Sequence, residues 1–277
     1  MLLVAISIVN VVAWMLAAAA LLRGPERADA STRTLRRALL LLSAGYVAGC
    51  AWRSFWPVYD IPRVVMFDSW WSSVVVGRSV ATVAELCFVT QCAVLLAAAA
   101  RQAGQAGARH AALWLVPMAL VAETCSWYSV LTTSNLGHVF EEALWGLGAA
   151  VWTVGMLTLW PHAAAGTRRL IAVCAAVGTA YVAFMFTIDV PMYLSRWLAD
   201  EAAGRSYLGL AQGFADVAGR WTVSTSWRDW HGEVAWMTLY FSVAVWVSIA
   251  LVHWPLAPAQ RRGAPGTGTP QVIASPH

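Results

Sequence analysis

Lysine is absent from this chain; all eighteen basic residues are arginine. Without a lysine amine no Schiff-base chromophore or cofactor can be carried. Charge of either sign is scarce, at 12% of residues against about a quarter in soluble domains. Hydrophobic residues make up 60% of the 277 positions, which excludes an ordinary soluble domain. The five cysteines form no CxxC pair and lie mostly inside apolar segments. They read as small buried hydrophobes, which excludes a disulfide framework or a zinc knuckle. No HExxH motif occurs. The net charge of +4 arises mostly in short loops, so it reports on topology and does not imply nucleic-acid binding.

What is present in abundance is apolar sequence in long runs. Crossing roughly 30 Å of hydrocarbon takes about 20 helical residues. Seven stretches qualify, near 2–22, 37–57, 74–100, 111–132, 138–160, 170–194 and 231–254. The expected fold is therefore all-α: a polytopic integral membrane protein with a seven-helix transmembrane bundle over 1–256. Arg23, Arg27, Arg33, Arg36 and Arg37 fall between the first two stretches, Arg101 and Arg109 between the third and fourth, and Arg168 and Arg169 between the fifth and sixth. With Arg261 and Arg262 after the last, the positive-inside rule puts the N-terminus outside and the C-terminus in the cytoplasm of a bacterial inner membrane. No basic residues precede the first apolar run, which argues against a cleaved signal peptide. The long connection 195–230 falls outside, with SYLGLAQGFADVAG (206–219) expected to form an interfacial helix. The Pro/Gly-rich tail 257–277 is expected to be disordered.

Against this apolar background, ionisable groups gather in the outer half of the bundle. Arg78, Thr82 and Glu85 lie along one face of the third helix, and Glu123 lies late in the fourth with Trp127 beyond it. GHVFEEALW (137–145) sets His138, Glu141, Glu142 and Trp145 in one stripe at the start of the fifth. Asp189 and Tyr193 are four apart in the sixth; Glu233 and Tyr240 share a face of the seventh, with His231 at its boundary. Arg53 sits near the outer end of the second. Six intramembrane acids thus face two arginines. Each charge at bilayer depth costs at least about 2.5–3.5 kcal/mol, so protons, a bound cation or water must balance the excess. Any of the three implies a polar pocket open to the periplasmic or extracellular side, and the tryptophans, concentrated on that side, supply its walls.

The plainest account pairs Arg53 and Arg78 with two acids such as Glu85 and Glu123; it leaves four acids unexplained. A divalent metal on His138, Glu142 and His231 is a second account, although the order His-x-x-Glu reverses the di-iron signature and occurs once. Haem between histidines is a third. The architecture resembles that of seven-helix rhodopsins, whose Schiff-base lysine this chain lacks. In kind, an acid beside aromatic walls is similar to the sites of membrane terpene cyclases, without a motif match.

The function these features imply is an integral membrane enzyme acting on a lipophilic or amphipathic small molecule. Glu85 or Glu123, kept neutral by burial, acts as general acid with Asp189 or Glu233 as its partner. Arg53 and Arg78 hold an anionic headgroup or tune the acids, while Trp127, Trp145, Tyr193 and Tyr240 line the pocket. The alternative is a proton- or cation-coupled transporter, which needs polar stepping stones in the inner half, where Gln91, Thr153, Thr158, Thr179 and Ser248 are almost all there is. A receptor or an accessory subunit of a membrane complex is the further alternative.

Overall fold

Within lipid every backbone N–H and C=O must find a partner in its own segment, so the long apolar runs have no option but helix. The computed structural model describes residues 2–23 and 30–255. Arg27, Arg261, Arg262 and the tail 257–277 lie outside the described residues. The helices are α1 (Leu2–Arg23), α2 (Ala30–Phe55), α3 (Val74–Ala103), α4 (Ala106–Thr132) and α5 (Leu136–Thr158). They are followed by α6 (Ala165–Phe184), α7 (Val190–Ala202), α8 (Leu210–Gly219), α9 (Trp227–Leu239) and α10 (Val245–Val252). Among the described residues six helices are long and apolar enough to cross a membrane, or seven if Trp227–Val234 and Trp236–Val252, which meet at 47°, make one span.

Several elements outrun their expected bounds, two of them by a wide margin. The second helix begins at Ala30, so Arg33, Arg36 and Arg37 are helical and not part of a loop. The sequence STRTLRRA holds neither Gly nor Pro, and nothing in it stops a helix that the apolar run has already nucleated. The sixth continues from α6 through a π turn (Met185–Asp189) into α7 and ends at Ala202. The wider π turn directly before Pro191 relieves the clash a proline ring makes with the preceding turn. A second π turn (Tyr240–Ala244) joins α9 to α10.

Helices α4 and α5 are joined by a tight corner in which Thr133 adopts φ 63°. Hydrogen bonds hold it there: the Ser129 hydroxyl donates to the Ser134 carbonyl at 2.5 Å, and the His138 amide donates to Ser129 Oγ at 2.7 Å. At Gly137 a Cβ would strike the Cys125 carbonyl, so only glycine lets the two backbones approach this closely. This corner aims the start of α5, and with it His138 and Glu141, at the bundle interior.

One half of the bundle is largely apolar. Leu39, Leu95, Leu96, Leu115, Met156 and Ile171 are core members of a single cluster drawn from α2, α3, α4, α5 and α6. At the other end the connections build a cap. Strands β1 (Val58–Tyr59), β2 (Val64–Val65) and β3 (Thr222–Val223) form a three-stranded sheet, β1 antiparallel and β3 parallel to β2. With α8 they enclose a small core of Val58, Val65, Val74, Val130 and Val217. The helix expected within 206–219 is α8, which leaves Leu210 and Phe214 exposed.

The cap is pinned by Arg63, 1% exposed and in the left-handed region at φ 59°. Its guanidinium donates to Asp216 Oδ2 at 2.7 Å and to the carbonyls of Asp60 and Val130 at 2.6 Å each, joining the hairpin, α8 and the end of α4. Burial alone would raise the Asp216 pKa, but hydrogen bonds from Arg220 and Arg63 outweigh it and hold the carboxyl below its ordinary value. A carboxyl depressed on folding contributes stability above its unfolded pKa and loses it as pH falls through the folded one. The cap is therefore expected to loosen below about pH 4, read as faster amide exchange in α8 while α3 to α5 stay protected. Arg63→Met leaves two carbonyls without their donor and Asp216 with Arg220 alone. It is expected to cost the cap about 3 kcal/mol, a roughly hundredfold faster exchange in α8. Unchanged exchange would show that the valine core alone holds it.

Candidate functional site

Just beneath the cap, where α3, α4 and α5 meet the π turn after α9, one guanidinium serves three carboxylates. Arg78 Nη2 lies 2.9 Å from Glu85 Oε2, 2.9 Å from Glu123 Oε2 and 3.4 Å from Glu141 Oε1. All four side chains are buried. Around them sits a ring of donors. The Tyr240 hydroxyl donates to Glu85 Oε1 at 2.8 Å and the Thr82 hydroxyl to Glu123 Oε2 at 2.5 Å. The Trp127 indole donates to Thr82 at 3.1 Å, and His138 Nδ1 lies 2.5 Å from Glu141 Oε2. Glu123 Oε1 and Arg78 Nε are buried without a partner.

Charge arithmetic sets the protonation of this cluster. At about 4 Å and an effective dielectric near 20, one charge pair is worth about 4 kcal/mol. With all three acids ionised, three attractions to Arg78 are cancelled by three mutual repulsions. With two or one ionised the net gain is about 4 kcal/mol, and desolvation favours the fewer charges. The cluster therefore retains at least one proton, and the arrangement can bind or release one.

The residues singled out by sequence divide between this cluster and its surroundings. Arg78, Glu85, Glu123, Trp127 and Tyr240 belong to it. The acid that α5 contributes is Glu141, not Glu142, which sits one residue on and is directed toward Asp189. Tyr193 stacks on His138 with ring centroids 4.9 Å apart. Arg53 pairs with neither Glu85 nor Glu123. It reaches Asp60 at 3.9 Å and the Val58 carbonyl at 3.5 Å, because the hairpin folds back over the end of α2. Glu233 faces Tyr59 and Arg196. Burial first and then Glu233 raise the Tyr59 pKa, with Arg196 opposing. Trp145 is half-buried on α5.

The ligand set His138, Glu142 and His231 is not assembled. His231 is exposed on α9 with Nδ1 on the Arg228 carbonyl, whereas His138 is buried against Glu141. The acids that converge are Glu85, Glu123 and Glu141, with one oxygen of each within 4.8 Å of the others. They could ligate a divalent ion, but Arg78 Nη2 already stands among them as a cation.

Sequence reasoning passed over Asp60, Arg63 and Arg196. Asp60 and Arg63 lie in a connection where hydropathy carries no structural signal, and Arg196 lies in α7 just beyond the expected end of the sixth stretch. Comparison with known proteins adds nothing to this geometry: no family model, no curated protein and no solved structure matches the chain. If Arg78 fills the cation position, Arg78→Ala should expose a divalent site. Calorimetric titration with Mn2+ is then expected to give binding at least roughly tenfold tighter than to the wild type, about 1.4 kcal/mol. Equal affinities would show that the guanidinium does not occupy that position.

Proposed function

We propose that the protein is an integral membrane enzyme whose buried carboxyl cluster performs general acid/base chemistry on a lipophilic or amphipathic substrate. The observation that carries this reading is the arrangement of three acids and a histidine around a single guanidinium at one end of a bundle whose other end is apolar. A proton-retaining group set among fixed donors suits proton transfer to a bound molecule. The largely apolar half argues for a one-sided site over a path through the membrane. The proposal places the N-terminus and the cap on the periplasmic or extracellular face of a bacterial inner membrane, following the arginine-rich connections at the opposite end. Glu85 and Glu123 supply the general acid, Arg78 sets their charge, Asp189 and Glu233 are secondary proton partners, and Trp127 and Tyr240 line the approach.

Proton- or cation-coupled transport is the second reading, and one observation favours it. Ser248 Oγ donates to Gln91 Oε1 at 2.7 Å and lies 3.0 Å from Ser43 Oγ, a buried polar patch that Gln91 brings six residues along α3 from Glu85. Beyond it Leu39, Leu95 and Leu96 close the way, which is why the enzyme reading leads.

The test needs no known substrate. Lipid extracts of cells expressing the wild type, Glu85→Gln, Glu123→Gln or an empty vector are compared by untargeted mass spectrometry. Expected are species whose abundance depends on the wild type and falls about 10²–10⁴-fold in both variants at equal folded yield, the usual contribution of a general acid. Extracts of wild type and vector that do not differ, or variants as active as the wild type, would overturn the reading.

A further inference from the structure

Beside the Arg78 cluster, along the seam between α5 and the α6–α7 helix, the contacts follow one antiparallel register. Gly178 packs on Thr153, and a Cβ at Gly146 would meet Met185 Cβ at 3.2 Å and Phe186 at 2.8 Å. Two turns further along α5, the His138 ring lies 4.9 Å from that of Tyr193. Four residues on from His138 is Glu142; four back from Tyr193 is Asp189. The same register sets these two carboxyl groups face to face, and they interact directly.

Among the described residues the ion pairs of this region belong to Arg53, Arg78 and His138, and none includes Glu142 or Asp189. Asp189 is 3% exposed, and its Oδ2 has no hydrogen-bond partner. Other groups facing the pair are Glu141 and His138 on α5, Tyr181 on α6, Tyr193 and Arg196 on α7, Glu233 on α9, and more distantly Arg78 and Glu85 on α3. Of these the nearer charges are mostly acidic, and Arg196 sits over the Tyr193 ring at 5.4 Å. Two ionised carboxylates in contact repel by about 4 kcal/mol even at an effective dielectric of 20. A carboxylic acid donating to a carboxylate removes that repulsion and gives a buried acceptor its donor.

We infer that Glu142 and Asp189 form a second proton site, a carboxylic acid–carboxylate pair holding one shared proton, separate from the acids clamped by Arg78. Its ligand is a proton. As a proton supply for the cluster next to it, its role rests on the enzyme reading; its existence does not.

A lipid-soluble carbodiimide tests the pair on the wild-type protein in its membrane. The acid O–H adds across one C=N bond, so that the carboxyl oxygen bonds the central carbon and the proton goes to nitrogen. Acyl transfer from oxygen to nitrogen then leaves a stable N-acylurea that peptide mass spectrometry locates. Expected is one adduct per molecule, on Glu142 or on Asp189 and never on both, formed faster than at Glu85, Glu123 or Glu141. Molecules labelled on both residues, labelling confined to the three clamped acids, or no adduct at either residue would overturn the inference. The reagent reads protonation without turnover, so a failure of the lipid comparison leaves this result standing and the reverse also holds.

Discussion

One guanidinium in a poorly screened interior cannot neutralise three carboxylates, and much of the structure around Arg78 can be understood as an answer to that constraint. The attractions draw α3, α4 and α5 together at one height, since each helix brings one acid to the same nitrogen. The repulsions that remain are met by donors, namely Tyr240 from the π turn, Thr82 backed by the Trp127 indole, and His138. The acid that finds no place at Arg78, Glu142, turns to the neighbouring helix and meets Asp189 there. Buried polar groups of this kind are expensive to assemble, and apolar side chains of similar size would hold three helices together at lower cost. That expense is the physical ground for reading the cluster as chemistry and not as scaffolding.

The rest of the fold isolates this cluster. Below it, the leucine- and alanine-rich core of α2 to α6 leaves little for a proton or an ion to use. Above it, the hairpin, α8 and β3 form a lid-like layer fastened by Arg63, so polar connections that would otherwise lie loose are fixed over the bundle end. The two ion-pair systems differ in kind. Arg63 meets a single carboxylate and two carbonyls, a closed and satisfied arrangement that suits anchoring. Arg78 meets an excess of acids with Glu123 Oε1 left over, an open arrangement that suits proton exchange.

Hydropathy made the helices legible, because in lipid a long apolar run has only one good conformation. It also placed Arg78, Glu85 and Glu123 together, since their depth follows from counting residues along helices. The same counting could not choose between Glu141 and Glu142. Adjacent positions differ by about 100° around a helix, and which one faces α3 is set by the Ser129–Ser134 corner and the close approach at Gly137. Counting also assigned Arg53 to the acids, because the hairpin that delivers Asp60 to it lies between two apolar runs, where hydropathy carries no signal. Short strands of two residues leave no periodicity to detect, and a left-handed arginine in a loop has no sequence signature. The pairing of Glu142 with Asp189 became visible only once the register of two helices was known.

The central claim is that Arg78 is held by the combined charge of three acids that would repel one another without it. A double-mutant cycle on thermal stability in detergent measures this most directly, using Arg78→Gln and the triple Glu85→Gln, Glu123→Gln, Glu141→Gln background. Arg78→Gln alone is predicted to cost about 3–5 kcal/mol, the cost of stranding buried charge. In the neutralised background the same substitution is predicted to cost less than about 1 kcal/mol, a strong coupling between the sites. An equal cost in both backgrounds would contradict the account.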